Sequence, residues 1–371
     1  MAEEQSYFSD MTYYLLSALA GQTGGNRYIN DLHVGVTTTD AGTGGYNFLR
    51  DCAHPEMGAL QGRPVVNGCT EEFDPPYFAY STSNTSENQP AYRDIRTLFD
   101  DLQCVTRYLE FGCDYEQPFQ SVRLAMTERV EDGTNAGFFR RGAMLVVVFV
   151  QDDDDCTAIN PELYDPNRED PAKYRVPCSL YMDERAPVEE FVNELRSQRP
   201  SGRVIVGGWI PVPIAWDGSL EELELVVDPE TDRYGHHANI LCGTGLGMAS
   251  KAPRLAEMIL LMGSNGVAWS ICLGLNEDQM EAFGQLVLDH LDPVACLPSN
   301  PPANTRCEVT LNLLDASDEC PQGTREIEPG MCELREEQWR LLETDRCTEL
   351  RASDEVAVPP GAWLALRCFA R

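Results

Sequence analysis

The sequence predicts an α/β protein, with a mostly parallel sheet flanked by helices over residues 1–295 and a small disulfide-rich β module over residues 296–371. Three observations carry this. Apolar runs suited to buried strands alternate with stretches of helical periodicity, the pattern of a parallel sheet covered by helices. The stretch Pro298-Ser-Asn-Pro-Pro302 reads as a linker, and six of the 14 cysteines lie beyond residue 295. At 371 residues and 43% hydrophobic content, the chain is long enough for roughly two to three domains of about 150 residues each.

Tyr7, Met11, Tyr14, Leu15 and Leu19 recur at helical spacing, so the first 20 residues form an amphipathic helix closed by Gly21. Leu32–Thr39 is a β-branched strand between turn residues, placed in the parallel sheet. Residues 41–90 form an insertion, and its Tyr46–Pro90 part is a disulfide-pinned excursion with a short strand near Tyr77–Tyr80. Helical periodicity returns over Tyr92–Leu109 and Gln117–Val130, where Pro118 suits a first turn. The run Ala143–Val150 reads as a strand buried on both faces, followed by Arg203–Trp209 and Gly266–Cys272. A second insertion spans about 152–187, and helices fall at Val188–Arg196, Pro253–Met262 and Glu277–Leu291. In the carboxyl-terminal module, strands fall at Cys307–Leu314, Trp339–Leu342 and Trp363–Phe369.

Twenty-eight basic against 60 acidic residues leave a net charge of −32, which repels nucleic acid and anionic lipid. The longest apolar run, Ala143–Val150, falls far short of the roughly 20 residues of a membrane helix. Lysine occurs only at Lys173 and Lys251, a compositional bias that marks no site. No Cys-x-x-Cys occurs, so the cysteines read as disulfides of an oxidising compartment rather than zinc ligands. Neighbouring cysteines suggest the pairs Cys52 with Cys69, Cys104 with Cys113, Cys156 with Cys178, and Cys242 with Cys272. The connectivity of Cys296, Cys307, Cys320, Cys332, Cys347 and Cys368 stays open.

The run Asp152–Asp155 follows the most apolar strand, at the edge where open α/β sheets hold ligands. Carboxylates converging there would suit Mg²⁺ or Ca²⁺, and a solvated acidic turn is the plain alternative. Asp40 ends another strand and would face the same crevice or sit in a simple turn. His236 and His237 point to opposite faces of an extended chain, which argues against a dyad with Cys242. Gly243-Thr-Gly-Leu-Gly247 lacks the preceding strand of a phosphate loop, and no Gly-x-Ser-x-Gly elbow occurs. His33, His54 and His290 have no context that marks a base.

Several stretches together resemble a von Willebrand factor A domain: Asp31–Asp40, Gly112–Pro118, Asn135–Arg140, Leu145–Cys156, Ala252–Leu255 and Gly266–Cys272. The likeness is to the cysteine-rich secreted members of myxobacteria and related deltaproteobacteria. It implies a Rossmann-like sheet and a metal-ion-dependent adhesion site that is degenerate or incomplete. Asp152 matches the family's aspartate, Glu110 is nearest in register to its threonine, and Asp154, Asp40 and Glu116 are weaker candidates. The family's first strand, which carries Asp-x-Ser-x-Ser, would lie before residue 1, together with any export signal. Without it, Leu32–Thr39 and Ala143–Val150 would face a gap, giving a split sheet or a slot filled by another segment.

The function expected is a non-enzymatic, exported binding or adhesion module that is extracellular, periplasmic or associated with the outer membrane. Its partner would be a protein or cell-surface ligand, with no nucleic acid and no transmembrane segment. A structural envelope or assembly component is one alternative. A carboxylate-metal hydrolase built on Asp152 is the other.

Overall fold

The computed structural model describes residues 2–22, 31–46, 55–64, 72–81, 91–106, 115–140, 143–165, 182–199, 203–225, 239–244, 247–291, 295–297, 305–313, 320–328, 331–343, 348–353 and 363–370, with positions 29, 52, 66, 69, 113, 178 and 356. Glu110, Cys347, His54, His236, His237 and the proposed linker lie outside the described residues. The chain divides into two compact units. One comprises residues 1–139, 146–197 and 205–285, the other 140–145, 198–204 and 286–371.

In the first unit, α1 (Ala2–Leu19) buries Leu15, Leu16, Ala18 and Leu19 along one side. β1 (Asp31–Val34) pairs antiparallel with β2 (Phe78–Ser81), His33 opposite Ala79. α2 (Ile95–Thr106) presents Ile95, Leu98, Phe99, Leu102 and Val105 to a core that also holds Leu16, Phe78 and Tyr80. The single helix expected after Gln117 is two, α3 (Pro118–Met126) and α4 (Glu128–Glu131). The Thr127 amide still bonds Arg123 and Leu124 carbonyls at the break, where the Thr127 hydroxyl also donates to Arg123.

β3 (Leu145–Val150), β4 (Val204–Ile210) and β7 (Gly266–Ser270) form a three-stranded parallel sheet in that order. Between them come α5 (Val188–Ser197), the antiparallel hairpin β5 (Ile240–Thr244) and β6 (Gly247–Ser250), and α6 (Pro253–Met262); α7 (Glu277–Leu291) follows. Every residue of β4 is buried. The expectation for β3 is corrected. It is an edge strand among the described residues, and Val146, Val147 and Val148 are only partly buried. The strand after Asp31 is likewise shorter than expected and belongs to the β1–β2 pair rather than to the parallel sheet. The two strands expected to face a gap thus lie in separate sheets.

Trp209 is fully buried at the centre of this unit, its indole Nε1 donating to Ser270 O at 3.1 Å, with Tyr7 packed at 5.7 Å between ring centroids. Beside it, Gly207 must be glycine, because a Cβ there would meet the Phe283 ring at 2.8 Å. Phe119 of α3 stacks on Phe191 of α5 at 4.4 Å, closing the opposite face.

In the second unit, a four-stranded antiparallel sheet has the order β10 (Arg325–Glu328), β11 (Met331–Leu334), β9 (Thr305–Asn312) and β14 (Trp363–Ala370). A three-stranded sheet joins β12 (Trp339–Glu343), β13 (Thr348–Ala352) and β8 (Ala295–Leu297). Val309, Leu311, Leu334, Leu350 and Leu364 form their shared core. Cys307 and Cys368 are direct cross-strand partners and are bonded; a second disulfide joins Cys320, which precedes β10, to Cys332 of β11.

Candidate functional site

The loops that leave the carboxyl ends of β1 and β3 meet through one short segment. The Gln117 amide donates to Thr39 O at 2.9 Å and its side-chain Nε2 to Gly42 O at 2.7 Å, while Glu116 O accepts the Cys156 amide at 2.8 Å. Gln117 is buried, so these bonds stand in for water that cannot reach the backbone there. Asp40 turns back on itself instead of entering a shared crevice, its carboxylate accepting the Gly42 amide at 3.1 Å. Burial, assisted by Glu56, pushes the Asp40 carboxyl above its ordinary value.

Two of the four acidic residues after β3 act as struts. Asp155 is fully buried and accepts Nε and a terminal nitrogen of Arg254 at 3.2 and 2.9 Å, the Phe119 amide at 3.1 Å, and the Thr157 amide and hydroxyl. Asp154 accepts Arg185 at 3.1 Å and the Arg254 and Leu255 amides at 3.0 and 3.3 Å. Each carboxylate therefore caps a helix whose first turn begins with proline, α6 for Asp154 and α3 for Asp155. Burial raises the Asp154 carboxyl to about 6 despite the two arginines. Asp154, a weaker metal candidate by sequence, has its oxygens bonded to a guanidinium and to helix amides.

Glu116 sits deeper than its sequence context suggests. Its carboxylate accepts the side-chain amide of Gln151, and burial first, then the charges of Asp152 and Asp153, raise it well above the ordinary carboxylate range. Gln151 is buried, and its Oε1 has no hydrogen-bond partner. Glu116, Asp152 and Asp153 are thus brought within electrostatic range of one another, while Asp40 and Asp154 are engaged elsewhere. Among the described residues no three His, Cys, Asp or Glu side chains gather as a metal-binding group. Of the residues the resemblance assigns to a Mg²⁺ or Ca²⁺ centre, Asp154 is already bonded to Arg185 and helix amides and Glu116 to the Gln151 amide.

Disulfides brace the loops around this end. Cys156–Cys178 and Cys242–Cys272 pair as the sequence suggests. The other two expected pairs are corrected to Cys52–Cys113 and Cys69–Cys104. Proximity in sequence misled because α2 brings Cys104 back beneath the excursion, while the chain beyond it returns to the Thr39–Gly42 loop through Gln117. Cys156, Cys178, Leu163 and Tyr164 form a small core of their own, with Tyr46 and Tyr115 packed against it. Of the histidines, His33 is held by Phe138 O at 3.1 Å and lies against the Tyr77 ring; His290 bonds Leu286 O within its helix.

Sequence reasoning missed Arg185, Arg254 and Gln151. The signal for Arg254 was the Pro-Arg that opens α6, because an arginine in a first turn, against the helix dipole, needs a buried acid to hold it.

Fold and site together define a disulfide-braced, mixed α/β protein whose acidic strand end is locked by arginine. Six disulfides lie among the described residues, and no described helix is long and apolar enough to cross a membrane. Comparison of the chain with protein-family models, curated proteins and solved structures finds no match.

Proposed function

We propose that this chain is an exported binding module, resembling a von Willebrand factor A domain, that meets an extracellular protein or cell-surface ligand with the loops at the carboxyl ends of its strands. The bracing of those loops carries the reading. Cys69–Cys104 ties the long excursion to α2 itself, Cys52–Cys113 ties it to the segment between α2 and α3, and Cys156–Cys178 closes the second insertion. A loop fixed in advance loses less entropy when it binds, which is the advantage a recognition surface needs. The hydrolase alternative built on Asp152 draws less support, since its neighbours Asp154 and Asp155 are bonded to Arg185, Arg254 and helix amides.

Recognition here runs through protein groups, with the Glu116–Gln151 pair as packing beneath the surface. Limited proteolysis of the oxidised and reduced protein, with calorimetric titration by MgCl₂ and CaCl₂, tests both parts. Expected are cleavage within residues 46–90 and 157–187 only after reduction, and no saturable heat from either ion. Free thiols at Cys52, Cys69, Cys104 or Cys113 would sink the export argument, and saturable ion binding would restore the adhesion-site reading.

A further inference from the structure

The disulfides among the described residues differ in how far water reaches them. Cys52–Cys113 and Cys156–Cys178 are buried at both ends, and Cys69–Cys104 and Cys320–Cys332 at one. Cys242 and Cys272 are both half-buried. Cys307–Cys368 stands apart, because Cys307 is half-buried and Cys368 is exposed.

The register of the second unit's larger sheet explains this exposure. Alternation puts Cys307, Val309 and Leu311 on one face of β9 and Leu364, Leu366 and Cys368 on the matching face of β14. They meet there as the pairs Leu311–Leu364, Val309–Leu366 and Cys307–Cys368. Val309, Leu311 and Leu364 belong to the core, Leu366 packs against it partly buried, and the cysteines come next along the same row. The disulfide thus lies where the row runs out of the core into water.

The pairing of the two strands has support besides this bond. β9 and β14 stay in register over eight residue pairs, from Thr305–Ala370 to Asn312–Trp363. Opening the bond would leave that ladder in place, and the ladder would hold the two thiols opposite each other, ready to close again.

We propose that Cys307–Cys368 is a thiol–disulfide exchange site, opened and closed reversibly by a dithiol partner while the module stays folded. Exchange begins with attack of a thiolate on one sulfur of a disulfide, so access decides which sulfur is taken. The partner's thiolate attacks Sγ of exposed Cys368, the Cys307–Cys368 bond breaks, and Cys307 leaves as a thiolate that takes a proton from water. The partner's second thiol loses its proton, attacks the partner sulfur of the mixed disulfide and releases Cys368, which is protonated in turn. Two electrons pass in all: the protein disulfide becomes two thiols and the dithiol becomes a disulfide. The reverse sequence restores the bond. This goes beyond the binding-module reading and is independent of it, since it involves neither the first unit nor its loops.

The test is limited reduction of the full oxidised chain by dithiothreitol without denaturant, followed by timed alkylation with iodoacetamide and peptide mapping. Cys307 and Cys368 are expected to label together, at least about tenfold faster than Cys156 and Cys178. The β9 and β14 amides should stay protected from hydrogen exchange in the protein so reduced, and oxidised dithiothreitol should abolish the labelling. Glutathione, a monothiol, should be trapped on Cys368 with Cys307 free. Cys307→Ser with Cys368→Ser should lose the fast phase alone; if that variant does not fold, the wild-type time course still decides. Labelling of Cys307 and Cys368 no faster than that of Cys156 and Cys178, labelling only with loss of exchange protection in β9 and β14, or glutathione on Cys307 would overturn the proposal. Any of these leaves the loop-bracing disulfides of the first unit, and the reading built on them, untouched.

Discussion

Arg254 closes on Asp155 with two nitrogens, Nε at 3.2 Å and a terminal nitrogen at 2.9 Å, and both side chains are buried. The pair joins the first turn of α6 to the end of β3, and through the Phe119 amide it reaches α3 as well. Arg254 also donates to Ala186 O at 2.7 Å, so the second insertion is held at its far end by the same guanidinium.

Removing one partner of this pair leaves a charge buried and uncompensated. Asp155→Ala is expected to destabilise the protein by about 3–5 kcal/mol, measured by urea unfolding. Asp155→Ala combined with Arg254→Met should recover part of that loss; a double variant as unstable as the sum of the singles would contradict a direct coupling.

Asp154 sets a pH dependence of definite sign. Folding raises its carboxyl to about 6, so its contribution is complete below the unfolded value of about 3.9 and is lost as pH rises through about 6. The stability advantage of wild type over Asp154→Asn should therefore shrink by about 3 kcal/mol between acid and neutral pH. Parallel urea titrations across that range check it, and an advantage that grows with pH would reverse the assignment.

Asn135 is completely buried and holds three strands of chain at once. Its Oδ1 accepts the Leu60 amide at 3.0 Å, and its Nδ2 donates to Gly58 O and Ala125 O at 3.0 and 3.1 Å. Asn135→Ala should cost about 3 kcal/mol, since those backbone groups lose their partner out of reach of water. Gly58→Ala attacks the same junction differently. Gly58 has φ +79°, and a Cβ there would lie 2.5 Å from the Ala125 nitrogen. Thermal unfolding of both variants and of their combination should show less than additive loss.

The Cys69–Cys104 bond spans 35 residues of sequence. Replacing both cysteines by serine should lower stability by about 2–4 kcal/mol, chiefly by freeing the unfolded chain. Peptide mapping of the unreduced protein should recover Cys52 linked to Cys113; a Cys52–Cys69 product would contradict the structure.

Much of the fold was legible from periodicity alone. The apolar runs at Leu145–Val150, Val204–Ile210 and Gly266–Ser270 are the parallel strands, and Pro118 and Pro253 do open helices. These features are local, because burial on a sheet or along a helix stripe repeats within a few residues. The hairpin β5–β6 was not legible, since Gly243 and Gly247 read equally well as a loop until Thr244 is seen opposite Gly247.

For the site, the sequence by itself determined that acid would crowd the end of β3 and that cysteines would brace the long loops. Only the tertiary structure decided what that acid does. Asp154 and Asp155 are neighbours, yet their partners Arg185 and Arg254 come from 31 and 99 residues away. Glu116, a weak candidate by position, comes within electrostatic range of Asp152 and Asp153 because the Cys156 and Gln117 hydrogen bonds draw its segment across the strand ends. Charge and residue type are properties of the chain. Which charges lose water, and which partner then meets them, depends on long-range packing that no local pattern encodes.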